Sequence, residues 1–178
     1  MSDEEMLEGC KANKNDAQKL LFERYARKMT GICSRYVDRY EEAQDIVQDG
    51  FIKVFNKIGT YSGKGSLEGW IRRIMVNTAL DYLRRTKASR YDLDITEVEY
   101  KVENNQEIIE KMQADDLLVI IRTLPKGYRT VFNLYAIEGY SHKEIAKKMN
   151  ISLNTSKSQY SRARTLLQKK LEALNIKR

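Results

Sequence analysis

Proline, histidine and tryptophan each occur once in these 178 residues, cysteine twice and glycine nine times. With so few helix breakers, and with Leu, Ile, Lys, Glu and Arg abundant, the composition favours an all-α chain. Cys10 and Cys33 match neither a Cys-x-x-Cys redox pair nor a zinc-ligand pattern. Cys33 is expected as a small buried hydrophobe and Cys10 as an exposed thiol without a role. No apolar run approaches a membrane span, and the opening MSDEEMLEGC is acidic. Neither a transmembrane helix nor a signal peptide is expected, and the cytosol follows as the expected location. His142 has no Cys, Ser or carboxylate constellation at catalytic spacing and reads as a solvated surface residue. No catalytic residue, metal or cofactor is expected, and no small-molecule substrate.

What the chain does have is positive charge: 32 Lys and Arg against 25 Asp and Glu, a net +7 and a pI near 9.3. Such a balance suits a polyanionic partner, with a membrane surface as the competing explanation; it speaks to association and not to fold. The length allows one domain or two small ones.

The most informative stretch is 140–171, YSHKEIAKKMNISLNTSKSQYSRARTLLQKKL. Ser141 and Glu144 have the spacing of a capping box, which predicts a helix starting at His142. Ile145, Ala146 and Met149 fall on one face, and Ile151 plugs a tight polar break. Ser152 is a fitting N-cap for a second helix whose inward face is Leu153, Tyr160, Ala163, Leu167 and Leu171. The other face presents Lys157, Ser158, Ser161 and Arg162, and no acidic residue occurs between Glu144 and Glu172. Asn154 and Arg164 complete the candidate DNA-binding set on this helix. The pattern is that of a helix-turn-helix offering its second helix to DNA; an ordinary helical hairpin with a solvated basic face is the alternative.

Helical spacing also runs through 16–37 (Leu21, Phe22, Tyr25, Met29, Ile32, Tyr36) and 40–58 (Val47, Phe51, Val54, Phe55, Ile58). The second of these carries Glu41, Glu42, Asp45, Gln48 and Asp49 on its other side. Asp45 and Asp49, four apart, share a face as an acid/base or metal pair would. No His, Cys or third carboxylate completes such a site, so a solvated or partner-facing surface is the better reading. Residues 60–69, TYSGKGSLEG, form a loop without the glycine spacing of a phosphate-binding loop. The next helix, 67–85, is expected to bury Ile71, Ile74, Met75, Thr78, Ala79 and Tyr82. Arg73, Asn77 and Arg84 then gather on its opposite side, next to a loop bearing Tyr61 and Lys64. That combination suits phosphate contacts and stacking on a splayed base. Trp70 is read as structural.

From Thr86 the sign changes: nine carboxylates, Asp92 to Asp116, face only Lys101 and Lys111. This reads as an acidic tether over 89–107, turning helical from Ile108, between domains at 1–88 and 108–178. A helix over 108–124 with Met112, Leu117, Ile120 and Ile121 should follow. Another, beginning at Pro125 and carrying Tyr128, Val131, Phe132, Tyr135 and Ile137, should run to Gly139 and complete a four-helix C-terminal domain.

EEAQDIVQDGFIKVFNKI, then LEGWIRRIMVNTALDYLRR, then TLPKGYRTVFNLYAIEGYSHKEIAKKMNIS and SRAR, in this order, resemble the small alternative sigma factors of bacteria, the extracytoplasmic-function type. The resemblance implies that Glu41, Glu42, Asp45, Gln48 and Asp49 dock on core RNA polymerase. It implies that Arg73, Asn77 and the loop with Tyr61 and Lys64 hold the unstacked non-template strand of the promoter minus-ten element, while Arg84 and Arg85 meet duplex phosphates. Lys157, Ser158, Ser161 and Arg162 would read the minus-thirty-five element, the tether would follow the RNA exit path, and an anti-sigma factor would be a further partner. Ser156, Gln44 and the mid-helix Gly50 depart from the family pattern. A stand-alone helix-turn-helix regulator is the alternative function.

Overall fold

The computed structural model describes residues 2–89 and 114–175. They are helices and loops without a strand, in keeping with the all-α expectation. The chain divides into two compact units, Met1–Thr86 and Lys87–Arg178. Most of the expected tether, and the first turns of the helix expected from Ile108 with Met112, lie outside the described residues.

The first unit opens with α1 (Asp3–Lys11), which the periodicity does not anticipate. Ser2 Oγ accepts the Glu5 N–H at 3.1 Å and Glu5 accepts the Ser2 N–H at 2.7 Å, a complete capping box. α1 lies on α2 (Asn15–Cys33) and on a short 3-10 turn, Ile58–Thr60. Met6, Gly9 and Cys10 face inward there. Cys10 is fully buried, against the expectation of an exposed thiol, and burial pushes its thiol pKa up. Gly9 is what permits the approach, since a Cβ there would lie 2.6 Å from the Ala17 Cβ.

α2 ends four residues before the expected Val37, because Arg35 and Tyr36 N–H groups turn back to Ile32 and Cys33 carbonyls. α3 (Tyr40–Lys57) buries Ala43, Ile46, Val47, Phe51 and Val54. Its mid-helix Gly50 faces Met75 of α4 (Leu67–Ser89), whose Sδ would sit 2.3 Å from an added Cβ. The helix-propensity cost of that glycine, about 1 kcal/mol, is offset by close packing of the two helices. α4 buries Ile71, Met75, Val76, Thr78, Ala79 and Leu80. Ile74 and Tyr82, expected in the core, are half-buried; the inward face is turned toward Val76 and Leu80.

The second unit holds α5 (Ala114–Arg122), α6 (Lys126–Phe132), α7 (His142–Met149) and α8 (Leu153–Asn175). Its core joins Ile120, Ile121, Leu124, Phe132, Ala163, Leu167 and Leu171. The helix expected to run to Gly139 widens into a π turn over Asn133–Ile137, closed by Glu138 N–H to the Asn133 carbonyl at 2.9 Å. Arg129 is 1% exposed and its Nη1 donates to the Arg122 carbonyl at 2.9 Å, capping the end of α5. Among the described residues no helix is long and apolar enough to cross a membrane.

Candidate nucleic-acid interface

In the second unit the capping box predicted from Ser141 and Glu144 is complete, and α7 starts at His142. Asn150 ends α7 in the left-handed region, φ +55°, a conformation Asn tolerates better than most residues. Two residues later Ser152 Oγ accepts the Thr155 N–H at 2.9 Å and starts α8. α7, the turn and α8 together form the helix-turn-helix.

α8 presents Asn154, Lys157 and Ser158 exposed, with Ser161, Arg162 and Arg164 half-buried beside them. Ser158 Oγ donates to the Thr155 carbonyl at 3.1 Å. Arg164 lies over the Tyr160 ring, 5.9 Å from its centroid, at the edge of this face. The inward face differs from expectation in its first turn. Leu153 is 43% exposed, while Ser156 and Gln159 are buried. His142 is not a solvated residue either: its ring stacks on Tyr135 at 4.3 Å, and its Nδ1 meets Ser156 Oγ. Burial, and then the Lys157 charge, hold its pKa below the usual value.

In the first unit, Gly63 and Gly65 adopt φ +74° and +81°, so the loop after the 3-10 turn closes tightly. Tyr61 OH donates to the Gly65 carbonyl at 2.7 Å, and its ring lies 5.6 Å from Trp70. Ser66 Oγ accepts the Gly69 N–H at 3.0 Å at the start of α4, and Lys28 of α2 pairs with Glu68 at 2.6 Å. Lys64 is therefore carried on a preformed loop rather than a free one. Along α4, Arg73, Arg84 and Arg85 are exposed and Asn77 is half-buried.

The acidic stripe of α3 splits in two. Glu41, Asp45 and Gln48 are exposed. Glu42 turns inward to Tyr82 OH at 3.0 Å and to the Arg39 N–H at 3.1 Å. Burial alone would raise the Glu42 carboxyl, but these hydrogen bonds and the Arg39 charge outweigh it and leave its pKa lowered. Asp49 lies 3.7 Å from Arg85. The two flank an open depression of about 420 Å³ that also contains Lys53, Asp81 and Arg84. There Lys53 and Arg84 converge on Asp81, with Lys53 at 3.0 Å. Burial raises the Asp81 carboxyl, and the two cations more than reverse that. An acid and a base that the sequence reading assigned to different partners are thus neighbours. Lys53 was missed, because its partner Asp81 lies 28 residues away on α4, a pairing that local spacing does not encode. Among the described residues no three His, Cys, Asp or Glu side chains converge as metal ligands would.

Residues 21–89 match the family described as Sigma-70 region 2, and residues 114–167 match Sigma-70, region 4. The ECF RNA polymerase sigma-E factor of Escherichia coli (strain K12) is 30% identical over 188 residues, spanning 98% of this chain and 96% of that protein. The sigma-E factor of Haemophilus influenzae is 29% identical over 186 residues, spanning 98% and 97%. The fold is also that of a solved sigma factor, RpoE in complex with the anti-sigma factor NepR from Bartonella quintana. The TM-score is 0.52 at 22% identity, over 86% of this chain and 96% of that one. With both regions present in order and near full-length similarity, the chain belongs to the extracytoplasmic-function RNA polymerase sigma factors of the sigma-70 family.

Proposed function

We propose that this sigma factor mounts on core RNA polymerase and directs it to promoters by gripping duplex DNA with α8 and opening the strands with α4 and the loop before it. The observation that carries the reading is the exposed face of α8, where Asn154, Lys157 and Ser158 lie on a capped helix-turn-helix whose second helix has no acidic residue in sequence before Glu172. A helix so presented fits the major groove, where its first turns meet base edges. Ser161, Arg162 and Arg164 extend the contact along the groove and to phosphates.

Arg73, Asn77 and the Tyr61–Lys64 loop would hold the displaced strand, and Arg84 and Arg85 the duplex beside it. Capture of a flipped base, at about 1–3 kcal/mol per stacked base, offsets the few kcal/mol lost on unstacking it. The exposed Glu41, Asp45, Gln48 and Asp49, with the half-buried Glu42 beside them, would dock on the polymerase. The Asp49–Arg85 pair supports coupling of the two contacts, because occupation of Asp49 by a polymerase cation frees Arg85 for phosphate. The acidic segment over 89–107 would follow the RNA exit path, an anti-sigma factor would mask the polymerase-binding faces, and the work would be done in the cytoplasm. Sigma factors act as DNA-binding regulators rather than enzymes, and nothing in this mechanism makes or breaks a bond.

The test is footprinting of core polymerase carrying the wild type, Lys157→Ala or Arg162→Ala. Each substitution should weaken protection of the upstream element by about tenfold or more, the scale of a lost base contact, while co-sedimentation with core is unchanged. Loss of core binding by the α8 variants would contradict the assignment of faces.

A further inference from the structure

We propose that Leu153 is a specificity-determining residue that reads the C5-methyl group of a thymine in the promoter's upstream element. The inference rests on the proposed docking of α8 in the major groove. Leu153 is the first residue of α8 and is 43% exposed, although the apolar spacing of the helix would place it in the core. A single exposed leucine is ordinary on a protein surface, so its position is what counts.

Three features of that position agree. Ser152 caps the helix immediately before it, which fixes Leu153 at the end that helix-turn-helix geometry drives deepest toward base edges. Side chains on a helix lean toward its N-terminus, so that of Leu153 reaches forward past the cap rather than back over the hydrophobic core. Lys157 lies one turn further along the same ridge, with Asn154 and Ser158 exposed on the adjoining surface. The leucine is therefore an apolar tip on a cationic and amide-bearing surface, with no carboxylate along α8 until Glu172 to repel a polyanion.

In the major groove the one apolar feature a base pair offers is the thymine methyl. The polar neighbours of Leu153 cannot read it, since it neither donates nor accepts a hydrogen bond. Seating the leucine against that methyl removes apolar surface of both partners from water and adds discrimination of T·A against C·G and against a thymine lacking its methyl.

Replacing thymine by deoxyuridine deletes the methyl and leaves every hydrogen-bonding group in place, which makes a clean probe. The experiment uses the full chain on core RNA polymerase and a promoter whose upstream element has been footprinted. Each thymine of the element is changed singly to deoxyuridine, and affinity is measured for the wild type, Leu153→Ala and Leu153→Met. At one thymine the wild type should lose about 3- to 5-fold, the scale of one buried methyl. Leu153→Ala should be weakened by a similar factor on the thymine promoter and be indifferent to the change, whereas Leu153→Met should keep the sensitivity. Alanine is the better helix former, so unchanged helicity and melting of Leu153→Ala confirm that α8 is intact. Overturning results are no methyl-sensitive thymine, or equal sensitivity in Leu153→Ala. Absence of any upstream footprint with the wild type would instead sink the docking of α8, and this inference with it.

Discussion

His142 Nδ1 lies 2.9 Å from Ser156 Oγ, across the turn that separates the two helices of the helix-turn-helix. Ser156 is fully buried, so its hydroxyl needs a partner, and the first residue of α7 supplies one. The imidazole is sandwiched at the same time between the Tyr135 face, 4.3 Å away, and the Tyr160 edge at 5.7 Å. The buried serine is therefore a paired polar contact and not a packing defect.

Burial of the imidazole, with the Lys157 charge beside it, makes the stability of the second unit pH-dependent in a defined direction. His142 titrates below its ordinary 6.5 in the folded protein, so on acidification the unfolded chain takes up its proton first. Stability should fall as the pH drops from about 7.5 through 6.5 and level off below the folded pKa. His142 is the only histidine, so His142→Gln should flatten this window in thermal melts. A wild-type profile that is flat there, or that gains stability on acidification, would show that the ring is not desolvated.

At the seam between α1 and α2, Gly9→Ala should destabilise the first unit by about 1–3 kcal/mol despite the better helix propensity of alanine. The new methyl meets the Ala17 Cβ, which has no flexible end to move aside. Chemical denaturation should show the loss, and the double change Gly9→Ala with Ala17→Gly should recover most of it. Independent, additive effects of the two changes would rule out the contact.

Arg129→Ala should cost the second unit about 2–4 kcal/mol, as a cavity and a carbonyl deprived of its donor combine. The Arg129 side chain is buried and spans to the Arg122 carbonyl. Denaturation of the isolated variant decides it; a loss under 1 kcal/mol would mean that water replaces the guanidinium at no cost.

Asn77→Ala should leave closed-complex footprints intact and slow strand opening, read as permanganate reactivity of thymines in the melted region. Asn77 is half-buried on α4 between exposed Arg73 and Arg84, so it contributes its amide where the two arginines contribute charge. Wild-type reactivity in the variant would remove Asn77 from the opening surface.

Much of this architecture was legible in the chain itself. Apolar spacing located α3, α4, α7 and α8, and the Ser141–Glu144 pair gave the first residue of α7. The failures have physical causes. α1 has too few apolar residues to show a period, and only its packing on α2 buries Cys10; the Ser2–Glu5 capping box was the overlooked signal. Leu153 is exposed rather than buried because a helical wheel does not show where the partner surface stops. The inward turn of Glu42 depends on Tyr82, 40 residues away, and the Asp49–Arg85 pair on two helices meeting, neither of which local spacing encodes.

Transcription from a genomic library with core polymerase, with and without this chain, followed by alignment of the mapped start sites, tests the central claim most directly. The account predicts transcripts that appear only with the chain and share two upstream motifs, with selection for the upstream motif relaxed by Lys157→Ala and transcript yield lowered by Asn77→Ala. Transcription unchanged by the chain, or start sites with no shared motif, would contradict it.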